Sequence, residues 1–140
     1  MPNVNTILVI DDDPIASLIM ERANHMVQLA EQVHCFYSAV DGLDYLNDLK
    51  ARRQKFPEII FLDICMPIVS GWQFLEQLEA LGGTDTSVYM LALSADQEHM
   101  NRAMNVASVK DYIVKPITVE RLKAIKSQRV DQTSGVPAVT

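Results

Sequence analysis

Five polar residues stand directly after short apolar runs in this sequence. Asp11 and Asp12 follow the run ending at Ile10, Asp63 follows Ile59 to Leu62, Ser94 closes Val88 to Leu93, and Lys115 follows Tyr112 to Val114. Carboxylates gathered at one place cannot stay bare, because two unit charges 4 Å apart repel by roughly 4 kcal/mol at an effective dielectric near 20. Protons or a cation must compensate. Hard oxygen donors without His or Cys suit Mg²⁺, which keeps several waters and shares its remaining positions with phosphate. Lys115 adds a point charge and Ser94 a hydroxyl donor, so the set suits a phosphoryl group, with Asp63 as the natural nucleophile.

Each of these residues also has a plainer explanation. An acidic triplet, Asp11 to Asp13, before Pro14 caps a helix; a single Asp, a Ser before Ala-Asp and a Lys-Pro pair are ordinary turn residues. What singles them out is the combination. They occur in order, each at the end of an apolar run, with helix-length gaps between them.

Those gaps define the elements that must hold the set together. The spacing predicts a helix from Pro14 to Leu29 with Ile15, Leu18, Ile19, Met26 and Leu29 inward, then an edge strand over Val33 to Tyr37. Ser38 caps a helix through Lys50, with Ala39, Leu43 and Leu46 inward and a basic stretch to Lys55 after it. Ile59 to Leu62 is apolar without alternation, as in a strand covered on both faces. Pro67 and Gly71 precede a helix carrying Trp72, Leu75 and Leu78, which Gly82 and Gly83 end. After the strand Val88 to Leu93, Asp96 opens a helix with Met100, Ala103 and Met104 on one face, and Tyr112 to Val114 is the last strand. Thr118 caps a final helix with Val119, Leu122 and Ile125 inward, and Gln128 to Thr140 reads as a loose tail.

Five strands alternating with five helices predict an α/β fold, a doubly wound parallel sheet with helices on both faces. A common strand order for such sheets, 2-1-3-4-5, sets the first and third strands side by side and converges Asp11, Asp12 and Asp63 on one rim.

Composition narrows the function classes. A chain of 140 residues with 49% hydrophobic and 21% charged residues fills one core. A net charge of -6 is the wrong sign for a nucleic-acid footprint, so no direct nucleic acid is expected. No apolar run is long enough to cross a bilayer and Met1 to Thr6 lacks the features of a secretory signal, which predicts a cytoplasmic protein without a membrane. Cys35 and Cys65 have neither the number nor the spacing of a disulfide framework or zinc site and read as reduced thiols. His25, His34 and His99 fall on different elements without metal spacing, and the methionines read as core filler.

Four motifs carry a family resemblance: Ile7-Leu8-Val9-Ile10-Asp11-Asp12-Asp13-Pro14; Phe61-Leu62-Asp63-Ile64-Cys65-Met66-Pro67 with Gly71; Ala92-Leu93-Ser94-Ala95; and Asp111-Tyr112-Ile113-Val114-Lys115-Pro116. The sequence resembles the receiver domains of two-component response regulators, in the manner of the single-domain chemotaxis members, over Thr6 to about Gln128. The resemblance implies a flavodoxin-like receiver domain at 1–128 and a flexible tail at 129–140. It implies that Asp63 accepts a phosphoryl group, in a Mg²⁺-dependent reaction, from a histidine kinase or histidine phosphotransfer protein, with self-dephosphorylation and no other enzymatic activity. By the same resemblance, Asp12 is a direct metal ligand, Asp11 an acid acting largely through water, and the backbone carbonyl of Cys65 the third protein ligand. Ser94 turns toward the phosphoryl group, Lys115 pairs with it, and the Lys115–Pro116 bond is cis. Cys65 and Asp96 occupy positions that tune hydrolysis. Tyr112 swings inward on signalling, and the fourth helix, fifth strand and fifth helix form the output face toward an unnamed protein target. Two residues depart from the family pattern: Ser70 stands where Asp often precedes the glycine, and Ser108 where Gly commonly follows the fourth helix, making a left-handed stop uncomfortable there.

Two rival readings exist. Haloacid dehalogenase-type phosphatases also place Asp-x-Asp after a strand, here Asp11 and Asp13. They need a second acidic pair past their lysine, however, where this chain offers Glu120 and Asp131, and they leave Asp63 idle. A receiver-like module that docks partners without taking phosphate is the other, against which the intact set of five residues speaks. The short stretch after the last helix predicts a single-domain regulator that acts through another protein, as a terminal output or as a relay.

Overall fold

Apolar runs without polar interruption can only be buried where a sheet is covered on both sides, and such runs form the middle of this structure. The computed structural model describes Pro2, residues 4–83 and residues 85–135, with side chains through residue 129. The strands are β1 (Val4–Ile10), β2 (Ala30–Phe36), β3 (Ile59–Asp63), β4 (Ser87–Ala92) and β5 (Val109–Val114). They alternate with α1 (Pro14–Val27), α2 (Ala39–Ala51), α3 (Gly71–Ala80), α4 (Gln97–Met104) and α5 (Val119–Gly135). The sheet is parallel throughout, in the order β2-β1-β3-β4-β5. β2, with its polar residues, lies at an edge as its composition implied.

Because side chains alternate across a strand, the central runs feed two cores. Leu8, Ile10, Ile60, Leu62 and Met90 meet Leu46, Phe74 and Leu78 of α2 and α3 on one face. Ile7, Val9, Phe61 and Leu91 meet Met20 and Ala23 of α1 and Leu122 and Ile125 of α5 on the other.

Helix starts follow side-chain caps. Asp13, Ser38, Ser70 and Asp96 each accept a backbone N–H at the start of α1, α2, α3 and α4, and Ser70 forms a reciprocal capping box with Gln73. The Thr118 hydroxyl accepts the Arg121 N–H at 3.1 Å at the start of α5.

Faces and ends differ from the sequence expectation in several places. α1 buries Ser17, Met20, Ala23, Asn24 and Val27, while Ile15, Leu18 and Met26, expected inside, are exposed. The small Ser17 and Ala23 let the helix lie close to its neighbours. The Asn24 amide pins the helix end by bonding both the N–H and the carbonyl of Ala30, at 2.8 and 3.0 Å. On α4, Ala103 is buried but Met104 is exposed. The helix stops at Met104 with Asn105 in right-handed geometry, so no left-handed residue is required at Ser108. The Ser108 carbonyl instead accepts the Val88 N–H at 2.8 Å. β5 starts three residues earlier than expected, at Val109. α5 runs to Gly135 through the stretch expected to be a loose tail from 129, and residues 136–140 lie outside the described residues.

Candidate functional site

Register brings the acidic residues together. Ile10 of β1 pairs with Leu62 of β3, so the next residues, Asp11 and Asp63, emerge side by side at the C-terminal rim. Ala92 of β4 pairs with Val114 of β5, which delivers Lys115 to the same rim. Gly71, at the start of α3, makes a close approach there: a Cβ at that position would lie 2.5 Å from the Asp63 carbonyl oxygen. The sequence flagged Gly71 as a turn breaker, whereas the structure shows a contact that only a residue without a side chain permits.

The acidic triplet divides its work. Asp13 is the cap, its carboxylate accepting the Ile15 N–H at 3.0 Å, which leaves the other two for chemistry. Asp11 is fully buried; its Oδ1 accepts the Asp13 N–H at 2.9 Å and its Oδ2 accepts Lys115 Nζ at 3.0 Å. Asp63, 4% exposed, holds the Cys65 N–H on Oδ1 at 3.3 Å and faces Lys115 Nζ with Oδ2 at 3.7 Å. Asp12 is exposed, and one carboxylate oxygen from each of Asp11, Asp12 and Asp63 lies within 4.8 Å of the others. The cluster thus joins to Asp11 and Asp12 the Asp63 that the Asp-x-Asp phosphatase reading leaves idle.

Burial pushes the Asp63 carboxyl up to about 7, with Asp11 adding repulsion that Lys115 and the Cys65 N–H only partly offset. Burial pulls the Lys115 ammonium down, but its hydrogen bond to Asp11 and the charges of Asp63, Asp11 and Asp13 outweigh that, so the net shift is upward. With all three carboxylates ionised, the single ammonium leaves two negative charges unmatched. An all-oxygen site with that deficit fits a divalent hard cation such as Mg²⁺.

Above the notch is a cavity of about 470 Å³ lined by Asp12, Asp63, Cys65, Ser94, Asp96, His99, Tyr112 and Lys115 among others. The Ser94 side chain is exposed and its carbonyl accepts the Tyr112 hydroxyl at 2.8 Å. Tyr112 therefore already lies inward, 8% exposed. The Asp96 carboxylate accepts the His99 N–H at 3.0 Å. The Cys65 thiol is exposed, and the Lys115–Pro116 peptide is cis. His99, expected only at the surface or in packing, also lines this cavity one turn after the Asp96 cap. The ring also lies 5.9 Å from Trp72 of α3, and the Arg102 guanidinium stands 4.2 Å over the same indole. A larger cavity, about 590 Å³, opens at the opposite end of the sheet beside Lys50, Arg53 and Lys55, remote from the carboxylates. Cys35 is a free thiol that burial, with Glu21 beside it, pushes up to about 11.

Comparison with known proteins places this arrangement. The response regulator receiver domain family matches residues 7–126. The probable C4-dicarboxylate response regulator DctR of Priestia megaterium is 30% identical over 123 residues, covering 88% of this chain and 50% of its own. The transcriptional regulatory protein BtsR of Escherichia coli K12 is 31% identical over 122 residues, covering 84% and 44%. The chain thus spans about half the length of the curated relatives it matches. The crystal structure of a two-component response regulator from Cytophaga hutchinsonii superposes with a TM-score of 0.83 at 25% identity, covering 91% of this chain and 98% of that one. The chain belongs to the response regulator receiver domain family of two-component signalling, a class of signalling domains that are generally not enzymes. No described helix is long and apolar enough to cross a membrane.

Proposed function

We propose that this receiver domain accepts a phosphoryl group on Asp63 from a phosphohistidine of a histidine kinase or histidine phosphotransfer protein and uses the modification to switch binding to a protein target. The observation that carries this reading is the convergence of Asp11, Asp12 and Asp63 around Lys115 at one rim of the sheet.

The carboxylates of Asp11, Asp12 and Asp63, with the Cys65 carbonyl, would hold Mg²⁺, with Asp11 acting largely through water. When bound, the metal offsets negative charge on the transferring group. An Asp63 oxygen attacks phosphorus in line with the donor imidazole; the P–N bond breaks as the O–P bond forms, and the imidazole nitrogen takes the electron pair. Lys115, divided here between Asp11 and Asp63, turns its charge toward the phosphoryl oxygens, and the Ser94 hydroxyl donates to them. Water later cleaves the acyl phosphate, and Cys65 and Asp96, both facing the cavity, set how readily it enters.

Ser94 and Tyr112 are joined through the Ser94 carbonyl, so a shift of Ser94 toward a phosphoryl group reaches β5 directly and biases the face formed by α4, β5 and α5. The setting is cytoplasmic, without direct nucleic-acid contact. Incubation with acetyl phosphate and Mg²⁺ tests the reading. Intact mass should rise by one phosphoryl group in the wild type and not in Asp63→Asn, and labelling that persists in Asp63→Asn would refute it.

A further inference from the structure

The cavity of about 590 Å³ at the far end of the sheet shares no lining residue with the acidic notch. It opens where α2 and α3 end and the chain turns back to begin β3 and β4, and its size falls within the roughly 300–1,000 Å³ of small-molecule sites. Part of its wall is apolar. Pro57 is buried there, Phe56 and Leu81 are half-buried against the core, and the Thr86 hydroxyl is spent on the Pro57 carbonyl at 2.9 Å.

Its lip is basic. Lys50, Arg52, Arg53 and Lys55 crowd into six positions of a chain that has 12 Lys and Arg and a net charge of -6. Arg52 pairs with Asp48 along α2, but the three that line the cavity, Lys50, Arg53 and Lys55, have no ion pair or side-chain hydrogen bond among the described residues. Of the two acids in the lining, Glu58 is engaged, its carboxylate accepting the Asn5 N–H at 3.1 Å and the Thr6 N–H at 3.2 Å. Asp85 is the other. Helix carbonyls add little to the field, because the Gln54 and Gly83 N–H groups close the ends of α2 and α3 onto Leu49 and Leu78 at 2.9 and 3.0 Å.

Arg53 is held in left-handed geometry, φ 56°, at the end of α2, where glycine sits with less strain. Gln28, at φ 60° after α1, returns its side-chain amide to the His25 carbonyl at 2.8 Å. Arg53 makes no such local bond. Strain kept for an unpaired charge at the lip of a cavity points to function.

Three unpaired cations against Asp85 leave two positive charges, which match the nearly double negative charge of a phosphate monoester at neutral pH. An arginine fork grips such a group through two oxygens, and the half-buried Phe56 ring offers a face to a planar partner. We propose that this cavity is a binding site for a small aromatic phosphate of mononucleotide size, with its phosphate on Arg53, Lys50 and Lys55 and its ring against Phe56 and Leu81. The site is independent of the chemistry at Asp63.

Titration of the isotope-labelled full chain with AMP and with 1-naphthyl phosphate, followed by amide chemical shifts in Mg²⁺-free buffer, tests the proposal. At least one of the two should bind saturably with Kd below about 1 mM, shifting the amides of Arg53, Lys55, Phe56, Leu81 and Gly82. Inorganic phosphate and 1-naphthol, each carrying half of the recognised chemistry, should bind at least about tenfold more weakly. Arg53→Gly, which suits the left-handed position, should weaken binding about tenfold, while Arg22→Ala, a basic residue exposed on α1, should bind as the wild type does. Saturable binding of neither probe at millimolar concentration would overturn the proposal. Inorganic phosphate binding as tightly as the aromatic probes, equal weakening in Arg53→Gly and Arg22→Ala, or shifts centred on Asp12 and Asp63 would overturn it too.

Discussion

Asp63 is strained electrostatically before any ligand arrives. Its carboxyl sits at about 7 against an ordinary value of 3.8, because burial and Asp11 disfavour its charge more than Lys115 favours it. A carboxyl whose affinity for a proton rises on folding stabilises the fold most when protonated. That contribution is fully present below the ordinary value and is lost as pH climbs through about 7. Without divalent metal, the melting temperature of the chain should fall between about pH 4 and about pH 7, and Asp63→Asn should flatten that part of the profile. Added Mg²⁺ should raise the melting temperature more above pH 7, where the notch is charged, than near pH 4. Thermal melts across pH decide this, and a wild-type profile no steeper than that of Asp63→Asn would contradict it. At this scale the sequence was informative about residue types but not about geometry. Asp11 to Asp13 look alike in one dimension. Asp13 also lines the cavity, and what sets it apart is its cap on the Ile15 N–H and its place outside the three-carboxylate cluster. The place of His99 in the cavity lining was not legible, because an orientation toward a cavity depends on backbone angles that side-chain type does not encode.

Helix α4 shows how an element can be held by few contacts. It has 8 residues and fully buries Ala103 alone, with Met100 packed half-buried against the same core, and the Asp96 cap and the Arg102 and His99 contacts with Trp72 of α3 add to its attachment. A cation over an indole at an exposed site contributes about 0.5–1 kcal/mol. Arg102→Ala should therefore speed amide exchange within α4 by about two- to fivefold while leaving β3 and β4 protected; unchanged exchange in α4 would show that the stack does not hold the helix. Helix starts were legible in the sequence because caps are local: Ser38, Asp96 and Thr118 each cap the helix expected of them. Faces were less so. α1 has apolar residues on more than one side, and periodicity alone could not choose Met20, Ala23 and Val27 over Ile15, Leu18 and Met26. Ends were the least legible, as α4 stopping at Met104 and α5 continuing to Gly135 show, because a helix stop without a left-handed residue or proline leaves little trace.

The whole molecule was the most legible level. Uninterrupted apolar runs require cover on both faces, helix-length gaps supply it, and right-handed crossovers then leave few topologies; the observed order β2-β1-β3-β4-β5 is among them. That order converts four separate strand-end motifs into one notch, and everything argued about signalling depends on Asp63 being the residue modified there. Treatment of the acetyl phosphate and Mg²⁺ reaction with sodium borohydride reduces an aspartyl phosphate to homoserine, whose position peptide mass spectrometry reads directly. Homoserine is expected at position 63, dependent on Mg²⁺ and absent when the phosphodonor is omitted. Homoserine at position 11, 12 or 13, or at none of the aspartates under conditions that label another receiver domain, would contradict it.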